Sequence, residues 1–464
     1  MKSYETITTT ATEDKQMPLT QELGQFIADL SPNRLPDEAV RVARMGLIDC
    51  IGTMIAGRRE DCVRIMTEVL APADGPATLT FGPRKATAPE AAWINGTAAH
   101  ALDYDDVGLR GHPSTVLVPA ILAEAEALGS SGADMITAYI AGYEVWAELF
   151  RRDSGLLHAK GWHPTGLYGA VGAAAACAKL RKLDAEKSAI AIALGGSQAG
   201  GLMSNFGTMT KPFHAGKAAH AGIMAARLAE AGFTANTDAL EHPQGFLHAI
   251  SPTGTEDRTS EAKAGTDWAI LSQGLGIKKY PTCYCTHRAI DCMLDLVANS
   301  PIQVGDVAKI TVNISDYFAT VLRNHQPDTG LAAKFSMEFA MASGIVAKRV
   351  GLRELTDDFV QRPDIQALMR KVAIVTTTEY GAETPGAAAA DQVTVQLSDG
   401  RTIEGEPVAR ATGHAQRPLT EAQLYDKFAD CLDVGGSDIP ADVLFQRLSA
   451  IQSISARALT ALPA

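Results

Sequence analysis

Four times in this 464-residue chain an ionisable or polar residue stands directly before a proline at an expected helix start: His112-Pro113, His163-Pro164, Lys211-Pro212 and Tyr280-Pro281. A residue before proline is steered away from the helical region, which places it on the loop entering the helix. Its side chain is then expected beside the free N–H groups of the first turn, whose partial positive charge favours carboxylates. The same charge tends to keep His112 and His163 neutral and able to accept a proton. Convergence of the four junctions on one cleft would make a carboxylate-binding site that already contains bases. Prolines at helix starts are common, so any one of these junctions alone is more often structural.

Two further clusters belong with these junctions. Asp103-Tyr104-Asp105-Asp106 follows an apolar helical segment, where carboxylates oppose the C-terminal end of the helix dipole. A proton shuttle, or an orienter of His112, is the functional reading of Asp103; Asp105 and Asp106 taken singly read as solvated loop residues. His100 lies three residues before Asp103, on the same helix face, and reads equally as a core histidine. Around Lys211 the segment 204–216 is dense in polar groups and glycine. Lys211 is a fixed cation for a substrate carboxylate, with His214 one turn further on. Gly216-Lys217-Ala218 fails as a phosphate loop, since no Ser or Thr follows the lysine. Cys283-Tyr284-Cys285-Thr286-His287 has no second Cys/His pair to complete a zinc site, so no metal is expected there. A polar thiol at Cys283 and an imidazole at His287, both facing a cleft, are expected instead. The glycines of 166–172 lie within a helical pattern and read as a close-packing face, not a dinucleotide fingerprint. No nucleophile elbow is present.

The elements that must hold these residues are mainly helical. Apolar spacings of three and four predict helices over Leu19–Leu30, Pro36–Ala56, Pro89–His100, Ser114–Leu128, Gly132–Leu149, Pro164–Leu180, Ala185–Gly195 and Pro212–Ala231. Ser131 and Asp184 stand where they would cap two of them, and Ala77–Phe81 reads as a strand. Ser251–Asp267 is polar without apolar period and marks a linker or surface loop. Beyond it Val307–Ile314, Val372–Thr376 and Gln392–Leu397 alternate as strands do, with a hairpin turn at Leu397–Arg401. Cys285–Ala298, Lys334–Ala347 and Thr420–Cys431 read as helices. The expected organisation is a flexible tail over 1–17, an all-helical domain over 18–267 completed by 406–464, and an α+β domain over 268–405. The fold class is mainly α, with a large helical domain and a smaller α+β one.

Bulk properties bound the partners. The net charge of −12 argues against nucleic acid or an anionic membrane surface. No window offers the roughly 20 apolar residues of a membrane span. Seven cysteines, an odd count in a long chain, suit free thiols in a reducing compartment, so a cytoplasmic location is expected. Aromatics are only 6% while Ala and Gly abound, which lets helices approach closely.

In these motifs the chain resembles the MmgE/PrpD family. The pieces are Asn95-Gly96 through Asp106, His112-Pro113-Ser114, Gly161-Trp162-His163-Pro164-Thr165, the run from Thr210 to Gly216, Lys278-Lys279-Tyr280-Pro281-Thr282-Cys283 with Thr286-His287, and Lys334-Phe335-Ser336. Their order and spacing carry the resemblance, which covers nearly the whole chain. It implies a homodimer acting on a small di- or tricarboxylate, without metal or organic cofactor. Members of the family dehydrate 2-methylcitrate, decarboxylate cis-aconitate or epimerise iminodisuccinate. In the decarboxylase branch the positions matching Asp103, His112, His163 and Lys211 line the active site, and His287 is the nearest match to a further histidine. These five are the expected catalytic residues; His214, Tyr280, Cys283 and Arg110 are the expected substrate contacts. Val107 stands where that branch carries threonine, and the loop before His112 is shorter than in the dehydratases. A dehydratase-type lyase is the expected activity, with epimerisation and decarboxylation as alternatives. A non-catalytic carboxylate-binding protein is the reading from a different class.

Overall fold

The structure is a computed structural model describing residues 17–382 and 384–463. The tail expected over 1–17 lies outside the described residues apart from Met17. Nine main helices build the larger part: α1 Leu19–Asp29, α2 Asp37–Gly57, α3 Asp61–Leu70, α4 Ala88–Ala101, α5 Ser114–Leu128, α6 Gly132–Arg151, α7 Pro164–Leu180, α8 Ala185–Ser197 and α9 Thr210–Glu230. All but α3 were expected from periodicity. Ser131 and Asp184 cap α6 and α8, accepting from the N–H groups of Asp134 and Lys187. The predicted strand Ala77–Phe81 shrinks to Ala77–Thr78, paired antiparallel with Lys85–Ala86, because Thr80 and Phe81 turn into the left-handed region.

Small residues set how closely the central helices pack. A Cβ on Gly216 of α9 would lie 2.1 Å from the Trp93 carbonyl of α4, and one on Gly222 would lie 2.3 Å from Ala173 of α7. Those contacts bring the backbones of α4, α7 and α9 together. The C-terminal end of α4 therefore sits beside the N-terminal turn of α9, where Lys211 emerges.

Among the described residues two large apolar cores are present, with a small third cluster of Ala56, Leu102, Tyr104, Leu352 and Cys431. One large core draws residues from Leu19 to Ile277 and again from Leu419 to Leu459; the other draws residues from Tyr280 to Leu397. The second surrounds a four-stranded sheet in the order Val372–Thr377, Val307–Ser315, Gln392–Leu397, Thr402–Glu404. The first pair is parallel and the others antiparallel, with Val312 opposite both Ile374 and Val393. Helices His287–Asn299 and Met337–Val346 cover it. The latter is shorter than predicted because Ser336, not Lys334, caps it through the Phe339 N–H. The chain then returns to the helical part as Glu421–Gly435 and Ala441–Ser449.

The polar stretch 251–267 is a tethered strap. Ser251 and Thr253 donate to Asp153, Lys160 Nζ donates to the Ser251 carbonyl at 2.5 Å, and Arg152 reaches the Ser260 carbonyl. All seven cysteines are free thiols. Among the described residues no helix is long and apolar enough to cross a membrane.

Candidate active site

The segment Leu102–His112, joining α4 to α5, is the centre of the site. Leu102–Asp106, Leu109 and Gly111 are buried, and Val107, Gly108, Arg110 and His112 are half-buried. Lys427, on helix Glu421–Gly435, donates to the Tyr104 carbonyl at 2.7 Å, lies over the Tyr104 ring and pairs with buried Asp49 at 2.5 Å. Asp106 accepts from the N–H and hydroxyl of Ser114 at the start of α5. Asp103 has φ +52, and Leu109 and Arg110 have φ +50 and +58. These are left-handed conformations that non-glycine residues adopt at a cost.

Asp103 is the meeting point of two lysines. Lys211 Nζ lies 2.6 Å and Lys278 Nζ 3.1 Å from its Oδ1, and Lys278 also donates to the Asp103 carbonyl. Burial opposes ionisation of Asp103, but the two ammonium groups more than reverse that and hold its carboxyl far below the usual range. Lys278 is held above its ordinary value: burial works against the charge, and Asp103 and Asp105 outweigh it. The lysines also answer the dipole problem at the end of α4, whose Ala101 carbonyl accepts from Lys334.

Asp105 bridges two histidines. His100 Nδ1 lies 2.9 Å from Oδ1, and His112 Nδ1 lies 3.0 Å from Oδ2 and 2.8 Å from the Asp106 carbonyl. A carbonyl oxygen only accepts, so His112 Nδ1 carries a proton, and Nε2 is the ring nitrogen that neither Asp105 nor the Asp106 carbonyl engages. Burial disfavours the Asp105 carboxylate, yet the two imidazoles bring it well below its ordinary range. Asp106 goes the other way, pushed well above by burial together with Asp49 and Asp105. Reading Asp105 and Asp106 as solvated loop residues is thus corrected: both are fully buried, because the loop is sealed under α5 and helix Glu421–Gly435.

A cavity of about 400 Å³ opens onto this centre between the two cores. Asp103, Arg110, His112, His163, Lys211 and Cys283 line it. His163 is driven strongly toward the neutral form by burial, then by His100 and Lys211. Its Nδ1 lies 3.2 Å from Nδ1 of His214, and Phe206 packs edge-on against its ring. His214 stands behind His163, outside the cavity lining. Tyr280 and His287 are also outside it. The Tyr280 hydroxyl donates to Asp291 at 2.6 Å, and His287 is fully buried with Nε2 directed at the Thr282 carbonyl. Cys283, hydrogen-bonded to the Cys285 thiol and near Lys278, holds its thiol below the ordinary value.

The X-Pro device holds in part. His163 is the N-cap of α7 with extended backbone, and Pro113 caps α5 with His112 just before it. Lys211 departs from the expectation by lying within the first turn of α9, where the N–H that Pro212 lacks would be unpaired anyway. Tyr280-Pro281 opens no helix; a turn at Tyr284–Thr286 intervenes before His287. Lys278 and His158 also line the cavity. The Lys278-Lys279 pair before Tyr280 was the available signal for the first; nothing local marks the second.

Among the described residues one group has metal-ligand character: His100, Asp103, Asp105 and His112 offer atoms within 4.8 Å of one another. Their charges are already engaged. Two ammonium groups hold Asp103 and two imidazole N–H groups hold Asp105, so a divalent cation would face Lys211 and Lys278 at contact distance. Cys283, Cys285 and His287 do not converge as such a group.

Comparison with known proteins agrees with this architecture. Residues 21–258 match the MmgE/PrpD N-terminal domain and residues 280–443 the MmgE/PrpD C-terminal domain. The chain is 26% identical over 428 residues to cis-aconitate decarboxylase of Mus musculus, covering 88% of this chain and 86% of that protein. The corresponding proteins of Homo sapiens and Aspergillus terreus are each 26% identical over 427 and 444 residues, covering 88% of this chain and 87% and 88% of theirs. With both domains matched over most of its length, the chain belongs to the MmgE/PrpD family.

Proposed function

We propose that the protein is a lyase that breaks a bond next to a carboxylate of a small di- or tricarboxylate. The supporting observation is the cavity wall, where Lys211 and Lys278 share one carboxylate, Asp103, beside the imidazole of His112, which is oriented through its Nδ1. Three lysine and arginine cations against one carboxylate, in a protein of net charge −12, suit an anionic substrate. The lysines hold the substrate carboxylate and stabilise the enolate-like charge that develops when the adjacent bond breaks. Asp103, clamped by both, is a fixed counter-ion of low basicity, so proton transfer at carbon falls to His112. His163, neutral and facing the same space, is the second proton-handling group. A homodimer is part of this reading.

Two reactions stand foremost. Loss of CO2 from an aconitate-type acid is favoured by the similarity to cis-aconitate decarboxylases over most of the chain. Dehydration of a 2-methylcitrate-type acid is kept by Val107, which puts an apolar side chain in the cavity wall where the decarboxylase pattern has threonine. Proton NMR in D2O with cis-aconitate, 2-methylcitrate and an iminodisuccinate enantiomer in separate tubes tests them. Itaconate from the first establishes decarboxylation, and new vinyl signals from the second establish dehydration. Deuterium beside a carboxylate with a second stereoisomer, and no vinyl signal, would replace both by epimerisation. Silence in all three tubes would count against the lyase reading for these acids.

A further inference from the structure

The part of the cavity wall formed by Gly108, Arg110, Gly111 and His158 is not needed to hold the reacting carboxylate, yet it is built at a cost. Gly108 and Gly111 pair with each other, each N–H donating to the other's carbonyl at 3.0 and 2.8 Å, so Leu109 and Arg110 occupy a two-residue turn. Both central residues are left-handed, at φ +50 and +58. Asn-Gly is the ordinary occupant of such a turn. Leucine and arginine there carry backbone strain, which tends to persist where a side chain is needed.

The strained turn delivers Arg110 to the cavity in a fixed pose. Its Nη1 donates to the carbonyls of Ser154 and Gly155 at 3.2 and 2.8 Å, and its guanidinium lies 5.2 Å from the Phe150 ring centroid. Only one arm is spent on these contacts. Nε and Nη2 have no carboxylate partner among the described residues. Three residues beyond Gly155 comes His158, on the turn Leu157–Lys160, which Lys160 pins to the Ser251 carbonyl. His158 also lines the cavity and makes no side-chain hydrogen bond among the described residues; its ring rests edge-on against Phe206. Burial, then His112, Lys211 and Arg110, lower its pKa to about 4, so an imidazole N–H and a lone pair are both available at neutral pH.

We propose that Arg110 and His158 form a second carboxylate subsite, which takes the distal carboxylate of the substrate while Lys211 and Lys278 hold the reacting one. The subsite rests on the polycarboxylate reading above and narrows it: substrates need carboxylates at both ends, and monocarboxylates are rejected. Arg110 supplies the charge and the fork of donors, and His158 a single N–H.

Equilibrium binding of tricarballylate, a tricarboxylate with no hydroxyl or double bond, tests this without turnover, by calorimetry beside butyrate. Wild type is expected to bind tricarballylate at least tenfold more tightly than butyrate. Arg110→Asn, whose new residue tolerates left-handed backbone, and His158→Gln should each weaken tricarballylate by about tenfold or more. Thermal melting of both variants within a few degrees of wild type would exclude unfolding as the cause. Either variant binding tricarballylate like wild type would overturn the subsite, as would a wild type that does not prefer tricarballylate to butyrate. Tricarballylate binding without turnover of any substrate would sink the lyase reading and leave the subsite standing.

Discussion

The ammonium of Lys211 lies 2.6 Å from a carboxylate oxygen of Asp103, although 108 residues separate them in the chain. The contact exists because small residues bring the start of α9 against the end of α4, and it makes the pair one unit with Lys278.

Lys211→Met should abolish most turnover, by about 10²–10³-fold, through loss of transition-state charge stabilisation. Lys278 still neutralises Asp103, so the circular dichroism spectrum and melting temperature should stay near wild type. Turnover at the wild-type rate in a folded variant would remove Lys211 from the chemistry. A protein that turns nothing over, and whose variant only binds more weakly, would be a carboxylate binder instead.

Asp105→Asn tests the orientation of His112. Asparagine presents an N–H to one of the two imidazole Nδ1–H groups that the carboxylate now accepts, so the His112 ring keeps the Asp106 carbonyl but loses the charged partner that fixes its orientation. Turnover should fall by about 10²–10⁴-fold, the range of a positioned general base. Steady-state kinetics should show the loss mainly in kcat, with KM within a few-fold, because the lysines that hold substrate are untouched. A large KM effect with unchanged kcat would assign Asp105 to binding.

Burial lowers the pKa of His287 to about 3, against roughly 6.5 in an unfolded chain. Between those values the unfolded chain takes up a proton that the folded protein refuses, so stability is present above pH 6.5 and is lost as pH falls through the window. The slope is about 1.4 kcal/mol per pH unit for one such group. His287→Gln should flatten the fall of denaturant-measured stability between pH 6.5 and 4 by about one proton. An unchanged slope would mean that His287 is protonated in the folded state.

Lys427 serves two masters, Asp49 and the carbonyl of Tyr104. Lys427→Met leaves the Asp49 carboxyl, already raised to about 6 chiefly by burial, without its cation. Denaturation should show a loss of about 3–5 kcal/mol. Adding Asp49→Asn should recover much of that stability but not the turnover, because the loop bearing Asp103 has still lost its tether. Full recovery of both would show that Lys427 acts through Asp49 alone.

Periodicity and capping residues determined most of the helices, since α-helical burial repeats every three to four residues whatever the helix packs against. Ser131 and Asp184 cap where a local rule says they should. His112 and His163 were legible for a similar reason: a histidine before proline at a helix start is a local device, and both line the cavity. The short helix α3 and the helices after residue 440 escaped because their apolar stripes are brief. Long-range geometry alone decided the rest. The two lysines on Asp103, the carboxylate of Asp105 shared by His100 and His112, and the withdrawal of His287 and Tyr280 into the smaller core depend on which backbones meet. Those meetings are set by glycine and alanine contacts between helices far apart in sequence, and no local pattern encodes them. Burial then separated the roles, because in a desolvated site a charge persists only where a partner holds it. Two lysines therefore make Asp103 a fixed anion, while Asp106, crowded by its neighbours, is pushed toward the neutral acid.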